Sequence, residues 1–119
     1  MKRIVSLVAI VAVGAATLFA VVAYGGRSSG TATTVKVTAK DTFRFVLSRK
    51  SAPRGKVIFK VTNKGRLKHD FKIAGKKTKL LKHNQTATLT VRLRKGKHKY
   101  LCTVPGHAAA GMRGTFRST

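Results

Sequence analysis

Apolar and polar residues alternate with a period of two through most of the chain beyond residue 34. The clearest example is TATLTVRLR, residues 86–94, in which threonines and arginines occupy every second position. The other positions carry Ala87, Leu89, Val91 and Leu93. The segments TVKVTA, TFRFVLS and KVIFKVT repeat this alternation, and in TFRFVLS it places Phe43, Phe45 and Leu47 on one face. Such alternation, rich in β-branched residues, predicts strands with one buried face.

Turn-forming sequences separate these segments: SAPRG, NKG, IAGKK and RKGK. Two further strands are predicted near the end of the chain, KHKYLC, which ends at Cys102, and MRGTFRS. No segment beyond residue 34 has helical periodicity. Short strands at regular spacing therefore predict an all-β fold, an antiparallel sandwich or barrel.

The N-terminus has a different pattern. Lys2 and Arg3 precede an uncharged apolar run over residues 4–24, and a Gly/Ser/Thr-rich stretch follows. The positive start is typical of an export signal, and the run approaches the roughly 20 residues that span a bilayer. We therefore predict a signal peptide or membrane anchor over residues 1–24, a flexible linker over 25–33 and one domain over 34–119. Either alternative places the domain in the periplasm or on the outer face of the cytoplasmic membrane.

The chain is strongly basic: 26 lysines and arginines stand against two acidic residues, giving a formal net charge of +24. Two carboxylates are too few for a calcium cage. The charge favours acidic proteins as partners, and it also suits an anionic membrane or cell-wall surface. Basic runs such as KGKHKY resemble nucleic-acid patches, but the chain has no Trp and no nucleic-acid motif. No specific nucleic-acid partner is expected.

The single cysteine lies in YLCTVPGHAAAGMRG, where His107 and Met112 follow Cys102 in the spacing C-x₄-H-x₄-M. A lone thiol cannot form an intramolecular disulfide, which is a liability in an exported protein. Thiolate, imidazole and thioether donors together suit copper. A trigonal His₂Cys set with a weak axial Met is typical of electron-transfer copper sites.

A second histidine must come from outside this loop, and three are available. His98 is four residues from Cys102 on one predicted strand, about 13 Å away at the rise of a strand, and cannot reach the same ion. His83 lies in a polar, turn-like segment and is expected to be solvated. His69 begins the short apolar segment HDFKI after the NKG turn, so it could close the site from a neighbouring strand.

The combination of YLCTVPGHAAAGMRG with GKVIFKVTNKGRLKHDF resembles the small blue-copper proteins, the cupredoxins. The loop spacing is similar to that of the rusticyanin and auracyanin branches of that family. The resemblance implies a Greek-key β-sandwich and one type 1 copper. It implies that His69, Cys102 and His107 are the strong ligands and Met112 the axial one. Family members often have Asn after the first His, bonded to the residue after Cys, and here that pair would be Asp70 and Thr103.

The expected function is one-electron transfer between redox proteins through Cu(II) and Cu(I), and the charge of the chain predicts acidic partners. No enzymatic activity is expected, because four protein donors leave no open position on the metal. The electron port is expected at the edge of His107, within a small uncharged patch. That patch comprises Pro105, Gly106, Ala108, Ala109 and Ala110. An extracytoplasmic copper-delivery protein is the alternative. A multicopper enzyme is disfavoured, because too few histidines remain for a second copper centre.

Overall fold

Nine β-strands, with no helix, form the part of the chain that the computed structural model describes, residues 31–119. They are β1 (Thr33–Lys40), β2 (Arg44–Leu47), β3 (Ser51–Ala52), β4 (Gly55–Asn63), β5 (Lys72–Ile73), β6 (Lys76–Lys77), β7 (Thr86–Leu93), β8 (Gly96–Leu101) and β9 (Arg113–Ser118). The predicted signal or anchor and residues 25–30 of the predicted linker lie outside the described residues. Within 31–119, no helix has the length and apolar character needed to cross a membrane.

The strands form two sheets, one with the order β2-β1-β4-β7 and the other with the order β3-β9-β8-β5-β6. The pairs β1–β4 and β3–β9 are parallel, and the other neighbours are antiparallel. The chain crosses repeatedly between the sheets, for example from β4 to β5 and from β6 back to β7. This arrangement confirms the predicted Greek-key β-sandwich. The expectation of purely antiparallel sheets was wrong, because β1 pairs with β4 and β3 with β9 in parallel.

The alternation along the strands fixes which faces meet in the core. In the antiparallel pair β4–β7, Phe59 lies opposite Leu89 and Val57 opposite Val91, and all four side chains are buried. Phe59 contacts Phe116 of the second sheet, with ring centroids 5.3 Å apart. Burying each such side chain contributes about 1.5–3 kcal/mol. The core therefore joins the two sheets.

The prediction that Phe43 belongs to a strand with Phe45 and Leu47 was wrong. Phe43 lies in the turn between β1 and β2, with φ of 60° and its N–H donating to Lys40 O at 3.1 Å. The tight return of the chain to pair β2 with β1 takes residues 41–43 out of the sheet. Phe43 packs instead in a small second cluster, with Ala39, Cys102 and Met112.

Candidate metal centre

One cluster of metal-binding side chains is present among residues 31–119, and it consists of His69, Cys102 and His107. Their donor atoms all lie within 4.8 Å of one another. His69 Nδ1 is 3.2 Å from His107 Nδ1, and Cys102 Sγ is 3.5 Å from the same His107 nitrogen. The structure thus brings His69, from the segment between β4 and β5, to Cys102 and His107, which share the loop between β8 and β9; His69 and His107 are 38 positions apart in the sequence.

His69 is held by the body of the sandwich. It lies between β4 and β5 and forms an isolated bridge with Leu81, in which His69 N donates to Leu81 O at 3.2 Å and Leu81 N donates to His69 O at 2.8 Å. The His69 side chain is fully buried. The backbone N–H and C=O of His69 are therefore both held by Leu81, independently of any metal.

The other donors belong to the loop between β8 and β9. Cys102 comes directly after the last residue of β8, and its N–H donates to Met112 O at 3.1 Å. Met112 N donates to His107 O at 3.0 Å, so backbone hydrogen bonds link all three loop residues. Gly106 and Gly111 have φ of 85° and 120°, values that favour glycine. The loop thus closes on itself, with Met112 buried beside Cys102.

The donor atoms suit one ion of borderline or soft character. Metal–nitrogen and metal–sulfur bonds of such ions are about 2.0–2.3 Å long, and donors 3.2–3.5 Å apart can share an ion at those lengths. Thiolate and imidazole donors with a thioether nearby select copper over the hard cations. Copper would be held by His69, Cys102 and His107, with Met112 as the weak ligand.

Local electrostatics set the protonation of the loop donors. Burial raises the pKa of the Cys102 thiol, so the metal-free protein holds it protonated at neutral pH. Desolvation lowers the pKa of His107, and the neighbouring His69 acts in the same direction. His107 is therefore neutral at pH 7 and ready to donate a lone pair, whereas Cys102 must lose a proton to bind metal.

Asp70 and Thr103 are in contact, as the resemblance implied. Thr103 N donates to Asp70 Oδ1 at 2.6 Å, and the Thr103 hydroxyl donates to Asp70 Oδ2. Asp70 is buried, and each partner directly follows a candidate ligand. The contact therefore joins the His69 segment to the Cys102 loop.

Asp41 is a residue at this centre that the sequence did not indicate. Its Oδ1 lies 3.0 Å from His69 Nε2, on the opposite side of the ring from the other donors. The pKa of Asp41 is lowered by the backbone N–H of Arg66 and then by His69. Asp41 is 28 positions from His69 and belongs to no motif, so only the fold brings the two together.

The remaining histidines lie away from the cluster. His83 is exposed, with Nδ1 2.9 Å from Gly65 O. His98 is half-buried on β8, with Nε2 2.7 Å from Arg94 O. Neither joins the three donors, so His69, Cys102 and His107 form the single candidate metal centre within residues 31–119.

A β-sandwich that carries a His₂Cys cluster with an adjacent buried methionine defines the type 1, or blue, copper proteins. The family model of copper-binding proteins of the plastocyanin/azurin type matches residues 31–117. The chain therefore belongs to this family, the cupredoxins. No curated protein sequence matches the chain.

Solved structures with the same fold include two auracyanins and rusticyanin. Reduced auracyanin from Roseiflexus castenholzii is 21% identical and aligns over 76% of this chain and 99% of its own, with a TM-score of 0.65. Auracyanin A from Chloroflexus aurantiacus, described as a blue copper protein, is 17% identical over 75% of this chain and 100% of its own, also with a TM-score of 0.65. Rusticyanin from Thiobacillus ferrooxidans is 22% identical and aligns over 76% of this chain and 79% of its own, with a TM-score of 0.63.

Proposed function

We propose that this protein carries single electrons between partner proteins outside the cytoplasm. A copper ion bound by the four donors would supply a one-electron couple, Cu(II)/Cu(I). The protein holds the donors in place, because His69 is fixed by the sandwich and the others by the hydrogen-bonded loop. Four protein donors leave no position for a substrate, which favours a carrier over an enzyme.

The observation that supports this proposal best is the unequal exposure of the donors. His69 and Met112 are 0% exposed and Cys102 is 1% exposed, whereas His107 is only partly buried. An electron would therefore enter and leave through the His107 edge. The buried donors keep solvent away from the rest of the centre.

An uncharged surface surrounds this edge. Pro105, Gly106, Ala109 and Ala110 are exposed, and Ala108 is half-buried. This surface borders a groove of about 350 Å³ that is lined by Pro105 and by Leu80, which is 46% exposed, but also by the charged residues Asp70, Lys77 and Lys79. Small, uncharged surfaces of this kind suit the brief docking of redox partners, whose interfaces are typically below about 1,200 Å².

Cations stand next to this docking surface. Lys77 and Lys79 line the same groove as Pro105. On another side, the Arg44 guanidinium lies where a side chain at Gly111 would be, against the copper loop. This distribution favours acidic partners, because opposite charges raise the rate of encounter. Exchange with an acidic redox protein should slow as salt rises, and exchange with a basic one should become faster.

The extracytoplasmic location rests on the sequence of the N-terminus, with its two cations followed by residues 4–24 without charge. An anionic membrane or cell-wall surface would be a second contact for so basic a protein. Edman sequencing of the protein recovered from cells, together with fractionation, tests both points. Intact protein in the cytoplasm would contradict the proposed location.

Electron transfer is tested against copper delivery in one experiment. The copper-loaded chain is mixed in a stopped-flow instrument with a reduced redox protein, and separately with a metal-free copper acceptor. We expect rapid, reversible bleaching of the blue band with the first and retention of copper with the second. Cys102→Ser, which keeps the fold but removes the thiolate, is the colourless control. Rapid loss of copper to the acceptor without redox cycling would instead identify a delivery protein.

A further inference from the structure

The turn between β1 and β2, residues 41–43, contacts both histidine ligands. Asp41 reaches His69, and the Phe43 ring packs edge-on against the His107 ring, with centroids 5.0 Å apart. Phe43 has φ of 60°, which is rare for a bulky side chain. Such conformations persist only where the surroundings impose them, often at functional sites. The turn is therefore shaped to present these two side chains to the copper centre.

The Asp41 carboxylate is held in place by the segment that precedes His69. Oδ2 accepts a hydrogen bond from Arg66 N at 2.6 Å, and Oδ1 accepts one from Leu67 N at 3.1 Å. Gly65 supplies the space, since a Cβ at that position would collide with Asp41 Oδ1. The carboxylate thus has a fixed position, set by backbone groups, from which it meets the imidazole.

The His69 ring is oriented by what each nitrogen meets. Nδ1 faces His107 Nδ1 in the donor cluster, at 3.2 Å, and Nε2 faces the Asp41 carboxylate, at 3.0 Å. An ionised carboxylate only accepts hydrogen bonds, so Nε2 must carry the ring proton. A ring with its single proton on Nε2 has its lone pair on Nδ1, the atom that faces the metal site.

We propose that Asp41 is the positioning residue for His69: it fixes the ring and its tautomer, so that Nδ1 is prepared to bind copper. Partners of this kind raise the basicity of a metal-bound imidazole, and their loss typically weakens metal binding about 10–100-fold. The proposal goes beyond electron transfer, because it concerns how a ligand is held and would apply equally to a copper-delivery protein.

Asparagine cannot replace Asp41 in this role. The carboxylate accepts from His69 on one side and from the Arg66 backbone on the other. The asparagine side chain has one acceptor oxygen, so its NH₂ group would meet one of these N–H donors. Asp41→Asn should therefore weaken Cu(II) binding about 10–100-fold. In the metal-free protein, ¹⁵N NMR should show His69 changing from one Nε2–H tautomer to a mixture.

The matched control is Asp70→Asn, which removes the only other side-chain carboxylate of the chain. Asp70 bonds to Thr103 and touches neither histidine ring through a hydrogen bond. Both variants should raise the reduction potential, since each removes a negative charge near copper. Only Asp41→Asn should alter the His69 tautomer, because only Asp41 meets the His69 ring. If the two variants had the same His69 tautomer and the same copper affinity, Asp41 would act through its charge alone.

Gly65→Ala provides a second test, in which the charge is retained. The added methyl group would displace the Asp41 carboxylate from His69. We expect the same change of tautomer and the same direction of change in affinity as in Asp41→Asn. Gly114→Ala, which crowds Tyr100 in the other sheet, controls for crowding as such. Circular dichroism and the unfolding midpoint establish that each variant is folded.

The tautomer of His69 in the metal-free wild-type protein tests the proposal even if a variant does not fold. In that protein His69 must be in the Nε2–H form, with a proton that exchanges slowly with solvent. A predominant Nδ1–H form would overturn the positioning role. This readout involves neither copper nor a redox partner, so its failure is distinct from failure of the electron-transfer proposal.

Discussion

Asp70 and Thr103 are joined through both the backbone and the side chain of the threonine: Thr103 N donates to Asp70 Oδ1 at 2.6 Å, and the hydroxyl donates to Oδ2. The contact spans 33 positions and connects the residues that follow His69 and Cys102. It therefore maintains the distance between the two parts of the site that come from different loops.

Replacing Asp70 with Asn should raise the reduction potential. The amide can still accept from Thr103 N and can donate to the hydroxyl, so the link between the loops is kept. The negative charge is lost, and that charge favours Cu(II) over Cu(I) by Coulomb attraction in a partly buried setting. Cyclic voltammetry measures the shift, with Thr103→Val as a control that removes the hydroxyl but no charge. A lowered potential in Asp70→Asn would contradict the argument.

Met112→Gln should keep copper and lower the reduction potential. The axial ligand of a type 1 site is weak and tunes the potential more than it determines binding. The loop itself is held by the backbone of Met112, which accepts from Cys102 N and donates to His107 O. These bonds do not need the thioether. Copper content by atomic absorption, together with voltammetry, checks both parts. A variant that no longer binds copper would show that Met112 is a strong ligand.

Copper binding at pH 7 should release about one proton. The raised pKa of Cys102 leaves the thiol protonated in the metal-free protein, and the lowered pKa of His107 leaves that ring neutral. The thiol then has a proton to lose at this pH, whereas the His107 lone pair is already free. Calorimetric titration in buffers with different ionisation enthalpies counts the protons. Cys102→Ser should reduce the count to near zero, and release of two protons by the wild type would show that a histidine is charged.

Lys60→Thr should stabilise the fold. Lys60 on β4 lies in register with Lys36 on β1, and both are exposed on the outer face of the first sheet. Like charges on adjacent strands are destabilising, and threonine also suits a strand better than lysine. The charge effect should be about 0.2–1 kcal/mol in the free energy of unfolding.

Lys99→Thr is the matched control for that prediction. Lys99 is also exposed on a strand, β8, but its register partner on β9 is the uncharged Thr115. The difference between the two variants in urea unfolding isolates the charge effect. It should be largest at low salt and disappear near 1 M salt, where screening acts within about 3 Å. A difference that does not depend on salt would argue against repulsion between Lys36 and Lys60.

The sequence predicted the sandwich well because its strands have one buried face, and burial every second residue is visible as alternation. It failed at Phe43, where the same alternation continues into a turn. Three candidate ligands followed from local spacing and donor chemistry, since they lie within residues 102–112, whereas His69 was assigned through the resemblance to the cupredoxins. Asp41 could not be predicted, because its role depends on a contact across 28 positions that no periodicity records.

The hydrogen bond from Cys102 N to Met112 O closes residues 102–112 into a unit with its own internal bonds. Three of the four copper donors thus belong to one loop segment, residues 102–112, which we call the cassette. Only His69 belongs to the rest of the sandwich. Evolution can then insert, delete or exchange residues between the two ends of the cassette without repacking the sandwich. The absorption spectrum and the reduction potential of the centre can then change without a change in the stability of the fold. A cassette from a distant relative, grafted between β8 and β9, should carry its own spectroscopic character into this strongly basic host.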